Sequence, residues 1–600
     1  MHIFDEFSDY FRCPAGAVSV PGEIRLRLKL LRGRDDRVWV SMRRDDCGAA
    51  DNTEMGFAGA DGAYDVYECV VSIDRAGLYW YHFAAGLSAD TAVPVSGHPD
   101  NAYQVTAYAQ DAEAPEWIKG GFIYHIFVDR FRRGAELNLK PGAVYREDWG
   151  ATPYFLPDER GIVRNNDFFG GDLYGIIEKL PYLKELGVTC IYLSPVFEAA
   201  SNHKYDTGDY FKIDQAFGGD AAFERLCAEA KGLGIRVILD GVFNHVGSDS
   251  RYFNRYSSYD GPGAYQGKQS PYYDWFTFHD DGTYDAWWGI KLLPALNKQN
   301  EDYKEFICGK NGVIAFWTKK GVSGWRLDVV DELPDVFLDP LCRAIKRENG
   351  DALIVGEVWE DASNKIAYDV RRRYFLGGQL DSVMNYPLKE AIIAFVRDGQ
   401  AEWLSTAVAG LCLNYPDNVL NSLMNILGTH DTMRILTVLS GADPPHGREE
   451  ASVFRLDAAQ IDTAKRRLKL ASALQFTLPG VPCVFYGDEA GVEGCADPFC
   501  RSCYPWGKED TDLIRWYSML ARIRNENECF KSGKYELIEA RCGLYAFTRG
   551  QGRDRVLVAV NVSDGLRQPK TPDFNFDLIN NEYTETLTVK SGQAAIFAVR

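Results

Sequence analysis

Four short polar clusters carry the residue types that acid–base and nucleophilic chemistry needs. They are Asp240-Gly-Val-Phe-Asn244-His245, Gly324-Trp-Arg326-Leu-Asp328, Gly356-Glu357-Val-Trp359 and Gly428-Thr-His430-Asp431, and each follows an apolar run. A single carboxylate in such a place is most often a helix N-cap or a surface charge. Four clusters in the same position relative to four apolar runs point to one shared site. Residues two apart on a strand project to the same side, so Arg326 and Asp328 are expected to touch. Either charge buried alone would cost several kcal/mol. Together, the guanidinium keeps Asp328 ionised, as a carboxylate nucleophile requires, and that negative charge favours a protonated neighbour. Glu357 fits the protonated role. A carboxylate nucleophile beside a carboxylic acid is the apparatus of retaining glycoside hydrolysis through a covalent glycosyl-enzyme intermediate. A third acid, Asp431, would stabilise developing charge and grip sugar hydroxyls. This chemistry requires no cofactor.

The elements that must bring these clusters together are eight apolar runs alternating with helical stretches: Phe122–Phe127, Val188–Leu193, Ile235–Leu239, Val322–Leu327, Ala352–Val355, Leu380–Met384, Asn421–Ile426 and Pro482–Tyr486. Alternating strand and helix patterns imply a parallel sheet. Eight such units over about 400 residues predict an α/β fold, a (β/α)8 TIM barrel, whose catalytic groups sit at the C-terminal strand ends. The third, fourth, fifth and seventh runs lead into the four clusters. A Tyr-, Ser-, Gly- and Asp-rich insertion, 246–303, follows the third strand. Residues 1–115 alternate apolar and polar positions in Glu23–Leu28, Arg37–Met42 and Gly77–Phe83, predicting an N-terminal β-sandwich. Its Tyr79, Trp80 and Tyr81 read either as an exposed docking surface or as that domain's own core. A helix carrying Leu513, Ile514, Trp516, Leu520 and Ile523 closes a barrel domain of 116–528. Strands in Gly543–Thr548 and Val556–Val562 then predict a C-terminal β-sandwich over 529–600.

Composition narrows the partners. The 600 residues are 46% apolar and 25% charged, ordinary globular values that exclude disordered and fibrous classes. A net charge of −19 with no run of five or more basic residues disfavours nucleic acid or an anionic membrane as partner. The 14 cysteines are scattered and read as reduced thiols. Cys495, Cys500 and Cys503 form a C-x-x-C cluster without the further ligands of a zinc site. The acidic start MHIFDEFSDYFRCP lacks the features of a secretory signal, and no stretch nears the roughly 20 apolar residues of a membrane span. A cytoplasmic location is expected.

In order and spacing, DGVFNH (240–245), GWRLD (324–328), GEVW (356–359) and THD (429–431) resemble the four blocks of the alpha-amylase family, glycoside hydrolase family 13. The resemblance implies that Asp328 is the nucleophile, Glu357 the general acid/base and Asp431 the transition-state stabiliser. Arg326 supports them, and His245 and His430 bind the sugar at the cleavage point. Asp240 and Trp359 of the same blocks join the substrate-binding set. A narrower likeness is to the cyclomaltodextrinase, neopullulanase and maltogenic amylase branch. It rests on His203-Lys-Tyr205-Asp206-Thr, Leu293-Pro294-Ala-Leu-Asn297, Asp497-Pro-Phe-Cys-Arg501 and the N-terminal β-domain. It implies that His203 and Tyr205 line the −1 sugar site, Tyr205 by stacking, and that Asp497 and Arg501 shape the non-reducing side. α-Glucan oligosaccharides, namely maltodextrins, cyclodextrins or pullulan, are the implied substrates, and a homodimer the implied assembly.

Departures from the branch leave points open. Val329-Val330-Asp331-Glu332 replaces the usual Val-Ala-Asn-Glu, which leaves α-1,4 against α-1,6 preference undecided. Several branch members carry a calcium loop after the first strand. Here Arg132-Arg133-Gly-Ala-Glu-Leu-Asn138 stands in its place, and only Asn138, Gly171 and Asp172 remain as ligands, short of the about six to eight oxygens calcium prefers. Trp287 and Trp288 in the insertion are either a stacking platform for longer or cyclic dextrins or an apolar anchor. A transglycosylase of the same fold would use the same residues. A non-enzymatic barrel relative would lack part of the carboxylate set, and Asp328, Glu357 and Asp431 are all present.

Overall fold

The computed structural model describes residues 2–33, 37–110, 113–135, 138–159, 161–571 and 573–600. Eight parallel strands form the central sheet: β1 (Ile123–Ile126), β2 (Cys190–Leu193), β3 (Arg236–Gly241), β4 (Gly324–Leu327), β5 (Leu353–Gly356), β6 (Ser382–Val383), β7 (Met424–Ile426) and β8 (Val481–Phe485). Each pairs with the next in sequence, β8 pairs with β1, and a bridge from Met384 to Met424 joins β6 to β7. The sheet is therefore closed, as the eight apolar runs predicted. Its strands are covered on both faces and apolar over most of their length, with His125, Asp240 and Arg326 among the buried polar exceptions. Ile123, Cys190, Ile238, Leu353, Val355, Met424, Ile426, Val481 and Cys483 are buried in one cluster.

The insertion after β3 has little regular structure until the helix Glu301–Cys308. An aromatic core of Tyr252, Phe253, Trp275, Phe276 and Tyr284, all buried, holds it together. A backbone bridge between His245 and Ala295 and a bond from Leu296 N to the Asn244 carbonyl (3.0 Å) tie its end to the segment that follows β3. The last strands form a six-stranded antiparallel sheet, 535–598. Two buried guanidiniums, Arg524 and Arg549, donate to the Phe476 and Thr477 carbonyls. They thus satisfy the C-terminal end of the helix Ala458–Thr477, where unpaired carbonyls concentrate negative charge.

Residues 1–114, 360–381 and 405–420 form a separate compact unit. Its antiparallel strands make two layers, and one strand, Ala50–Asp61, belongs to both: its first half pairs with Arg37–Arg44 and its second with Tyr64–Ile73. Ile24, Leu26, Leu28, Val38, Val40, Phe83 and Val105 fill the core together with Tyr81. Of the two readings of Tyr79, Trp80 and Tyr81, the core therefore takes Tyr81. The Trp80 indole N–H donates to Asp45 (2.7 Å) and its ring lies under the Arg371 guanidinium. Among the described residues no helix is long and apolar enough to cross a membrane.

Candidate active site

Arg326, fully buried near the end of β4, holds three carboxyl groups from three neighbouring strand ends. Its Nη1 donates to Asp240 (2.9 Å) and to Asp328 (2.7 Å), and its Nη2 lies 2.8 Å from Glu357 Oε2. The buried guanidinium thus pairs with three carboxyl groups at once. Asp240 Oδ2 also accepts from the Tyr192 (2.6 Å) and Tyr205 (2.9 Å) hydroxyls. Its oxygens are thus taken by Arg326 and two tyrosines, and Asp240 positions those groups from beneath. Glu357 accepts from the Val329 amide (2.8 Å) and from the Trp359 indole (3.2 Å). Val329 has φ 39 and ψ 54, a left-handed conformation costly for a β-branched residue and found where function holds strain. In this conformation its N–H meets Glu357. Trp359 stacks on Tyr386, centroids 4.1 Å apart.

Burial raises the Asp328 carboxyl well above the usual range; Arg326 opposes, but the Glu357 and Asp240 charges add to the rise. Arg326 was expected to keep Asp328 ionised by itself. Burial outweighs the guanidinium at Asp328, and the two neighbouring carboxyl groups work against it as well.

A second network starts from Tyr205. Its hydroxyl donates to Asp240 and so accepts from His430 Nε2 (2.6 Å), and the two rings stack at 5.1 Å. His430 Nε2 lies 3.0 Å from Asp431 Oδ2, and Arg501 reaches Asp431 Oδ1 (3.4 Å), the His430 carbonyl (2.9 Å) and Asp497 (2.9 Å). Burial pushes Asp431 up, but His430 and Arg501 outweigh it and hold this carboxylate below its ordinary range. Its side chain keeps 31% of its surface exposed. His203 Nδ1 accepts from the Tyr205 amide (3.1 Å), and burial lowers the imidazole to about 4. His245 stacks on Trp287, centroids 5.0 Å apart, and burial lowers it to about 3.

The structure thus joins Asp240, Arg326, Asp328, Glu357 and Trp359 in one network. It joins Tyr205, His430, Asp431, Arg501 and Asp497 in another, with Tyr205 as the link and His203 fixed to its backbone. His245 faces the Tyr205 backbone and packs between Asn244 and Trp287. Sequence reasoning missed Tyr192, Asn244, Lys298, Val329 and Tyr386 as contributors. Tyr386 had a readable signal, standing three residues beyond β6 as the motif residues stand beyond their own strands.

The loop after β1 does not fit calcium. Asp172 Oδ2 accepts from the Gly134 (3.2 Å) and Ala135 (2.8 Å) amides and Oδ1 from Gly175 (2.7 Å). Three amide donors thus compete with a cation for the two Asp172 oxygens. Glu136 and Leu137 lie outside the described residues. Among the described residues no group of three or more His, Cys, Asp or Glu is placed to hold a metal ion.

Comparison with known proteins agrees with this geometry. The chain is 35% identical to an amylopullulanase of Thermoanaerobacter thermohydrosulfuricus over 91% of its own length and 40% of that protein's. It is 32% identical to neopullulanase 2 of Thermoactinomyces vulgaris over 91% of this chain and 89% of the relative. The solved type III pullulan hydrolase from Thermococcus kodakarensis superposes with a TM-score of 0.69 at 26% identity, covering 100% of both chains. The chain spans about half or less of the amylopullulanases it matches. The profile described as alpha amylase, catalytic domain, matches residues 125–528. That stretch runs from β1 to the helix after β8 and holds every group described above, so the chain belongs to the alpha-amylase family.

Proposed function

We propose that this chain is a retaining hydrolase of the α-1,4 bonds of maltodextrins, cyclodextrins or pullulan, with cleavage of α-1,6 bonds left open by its sequence. The observation that carries the reading is Arg326 bridging Asp328 and Glu357 on adjacent nitrogens. That bridge suits carboxyls about 5–5.5 Å apart, a retaining pair, rather than the roughly 6.5–9.5 Å of an inverting one. Asp328 attacks the anomeric carbon while Glu357 gives its proton to the departing glycosidic oxygen. The C–O bond breaks, and a glycosyl ester forms. Glu357 then takes a proton from water, whose oxygen displaces Asp328 and leaves the product in the α configuration. Asp431, held ionised, faces the developing positive charge. Relatives named neopullulanase and cyclomaltodextrinase support the substrate class.

The insertion contributes to this reading. Trp287 stacks on His245 and serves as anchor. Trp288 has φ 49, is 81% exposed, and is held by a bond from its indole to Glu332 (3.2 Å). An exposed indole beside the segment that follows Asp328 is a platform for the leaving sugar. The same platform would hold an acceptor sugar whose hydroxyl replaces water, which is the transglycosylase alternative. A cytoplasmic location and a homodimer complete the proposal.

The test is Asp328→Asn, which should reduce turnover by several orders of magnitude, since an amide cannot form the ester. Glu357→Gln should be as poor on maltodextrins but milder on activated aryl glucosides, whose leaving groups need less protonation. Proton NMR of the first product should show the α anomer. A β anomer appearing first would sink the mechanism, and product profiles from cyclodextrin, pullulan and maltotriose would assign the bond preference.

A further inference from the structure

We propose that Lys298, in the insertion, is a positioning residue that sets the tautomer of His245 through Asn244, so that His245 presents an Nε2–H donor to the bound sugar. The inference rests on the functional reading above for its ligand but not for its geometry. Lys298 Nζ lies 2.8 Å from Asn244 Oδ1. An ammonium has only donors, so the amide oxygen must face it and the amide nitrogen must face away. That nitrogen, Nδ2, lies 3.3 Å from His245 Nδ1. An amide nitrogen only donates, so Nδ1 accepts, and a neutral imidazole then carries its proton on Nε2.

The ring is neutral: burial lowers it to about 3, Lys298 adds to the fall, and the Tyr205 carbonyl opposes. His245 is buried, and its Nε2 has no hydrogen-bond partner among the described residues. The same holds for Trp287 Nε1, on the ring stacked against it. A buried unpaired donor costs about 1–3 kcal/mol, and a sugar hydroxyl would supply the acceptor. The backbone at Lys298 is well placed for this role, because Asn297 N bonds the Trp275 carbonyl (2.7 Å) and Leu296 N the Asn244 carbonyl (3.0 Å). Glu332 and Asp285 face Lys298 and counter the effect of its burial. The insertion, rather than the segment that carries His245, therefore decides which hydrogen-bonding face that residue offers.

Nitrogen-15 NMR of the full chain labelled at its nine histidines reads the tautomer directly, with His245 assigned by its loss in His245→Asn. The wild type should show the Nε2–H form. Asn244→Asp, nearly isosteric, places an acceptor against Nδ1 and should invert the tautomer. Lys298→Met frees the amide to turn and should give a mixture, with kcat/KM on maltodextrin falling roughly tenfold. Lys298→Arg, which keeps a donor, should restore both. An Nδ1–H wild type, or a tautomer unmoved in Asn244→Asp, would overturn the proposal. Absence of glucan hydrolysis by the wild type would overturn the functional reading alone, since the NMR readout needs no turnover.

Discussion

Each carboxylate in the cleft is governed by its donors rather than by its residue type. Asp240 has both oxygens occupied and supports Tyr205 and Arg326; Asp431 is held ionised by His430 and Arg501; Asp328 shares Arg326 with two other acids. The same logic gives a stability prediction at Asp249. Burial and the neighbouring Asp206 charge raise this carboxyl from 3.8 to about 6, with Lys140 and Lys204 opposing. Between those values the folded chain keeps a proton that the unfolded chain has lost, so this group's contribution falls as pH rises and stays unfavourable above pH about 6. Asp249→Asn should therefore stabilise the protein by about 1–3 kcal/mol at pH about 7.5, with the gain vanishing toward pH about 4. Thermal melts at the two values check it; equal effects at both would refute it. At this scale, what the sequence made legible was local. The Arg326–Asp328 contact follows from a spacing of two on a strand. The Tyr205–His430 bond spans 225 positions, and no spacing rule reaches across the barrel.

The eight strands were legible because a parallel sheet covered on both faces reads as near-continuous apolar runs, a pattern that survives without tertiary context. Turns that aim backbone groups were not, because their geometry depends on what they meet. Val329 adopts a conformation its side chain disfavours, and only the Glu357 contact gives a reason for it. The loop after β1 is a similar case. Counting residue types left three calcium ligands there, whereas the structure shows Asp172 capping the helix Leu173–Leu186 and holding the loop by its amides. A chelator should thus leave both melting temperature and turnover unchanged. Asp172→Ala should cost about 1–2 kcal/mol as a lost cap and more for the loop amides left without an acceptor. A melting temperature that drops with chelator and returns with calcium would restore the metal.

On the scale of the whole chain, the segment that follows the acid block belongs with the N-terminal strands. Residues 360–381 begin directly after Trp359 and form one compact unit with 1–114 and 405–420. Gln104 bonds Ser363 (3.1 Å) and Asn364 (2.8 Å), Asp45 pairs with Arg371 (3.1 Å), and Ala109 N bonds the Leu376 carbonyl (3.0 Å). Linear patterning cannot show this membership, because each of these partners lies hundreds of residues from the other. It bears on the proposed homodimer as well: with Tyr81 in the core and Trp80 engaged with Asp45 and Arg371, those aromatics are not a free surface for a second copy. Light scattering of the full chain tests the dimer without cutting it. A truncated chain, 115–600, would lose Gln104, Asp45 and Ala109, the partners of Ser363, Asn364, Arg371 and Leu376. The expected result is a lower, broader melting transition and at least a tenfold loss of turnover, since the misplaced segment starts three residues after Glu357 and directly after its Trp359 partner. Asp45→Ala and Gln104→Ala in the full chain should each reproduce a milder form of the defect. If the truncated chain melted cooperatively at the wild-type temperature with full turnover, 360–381 would hold its own conformation and the argument would fail.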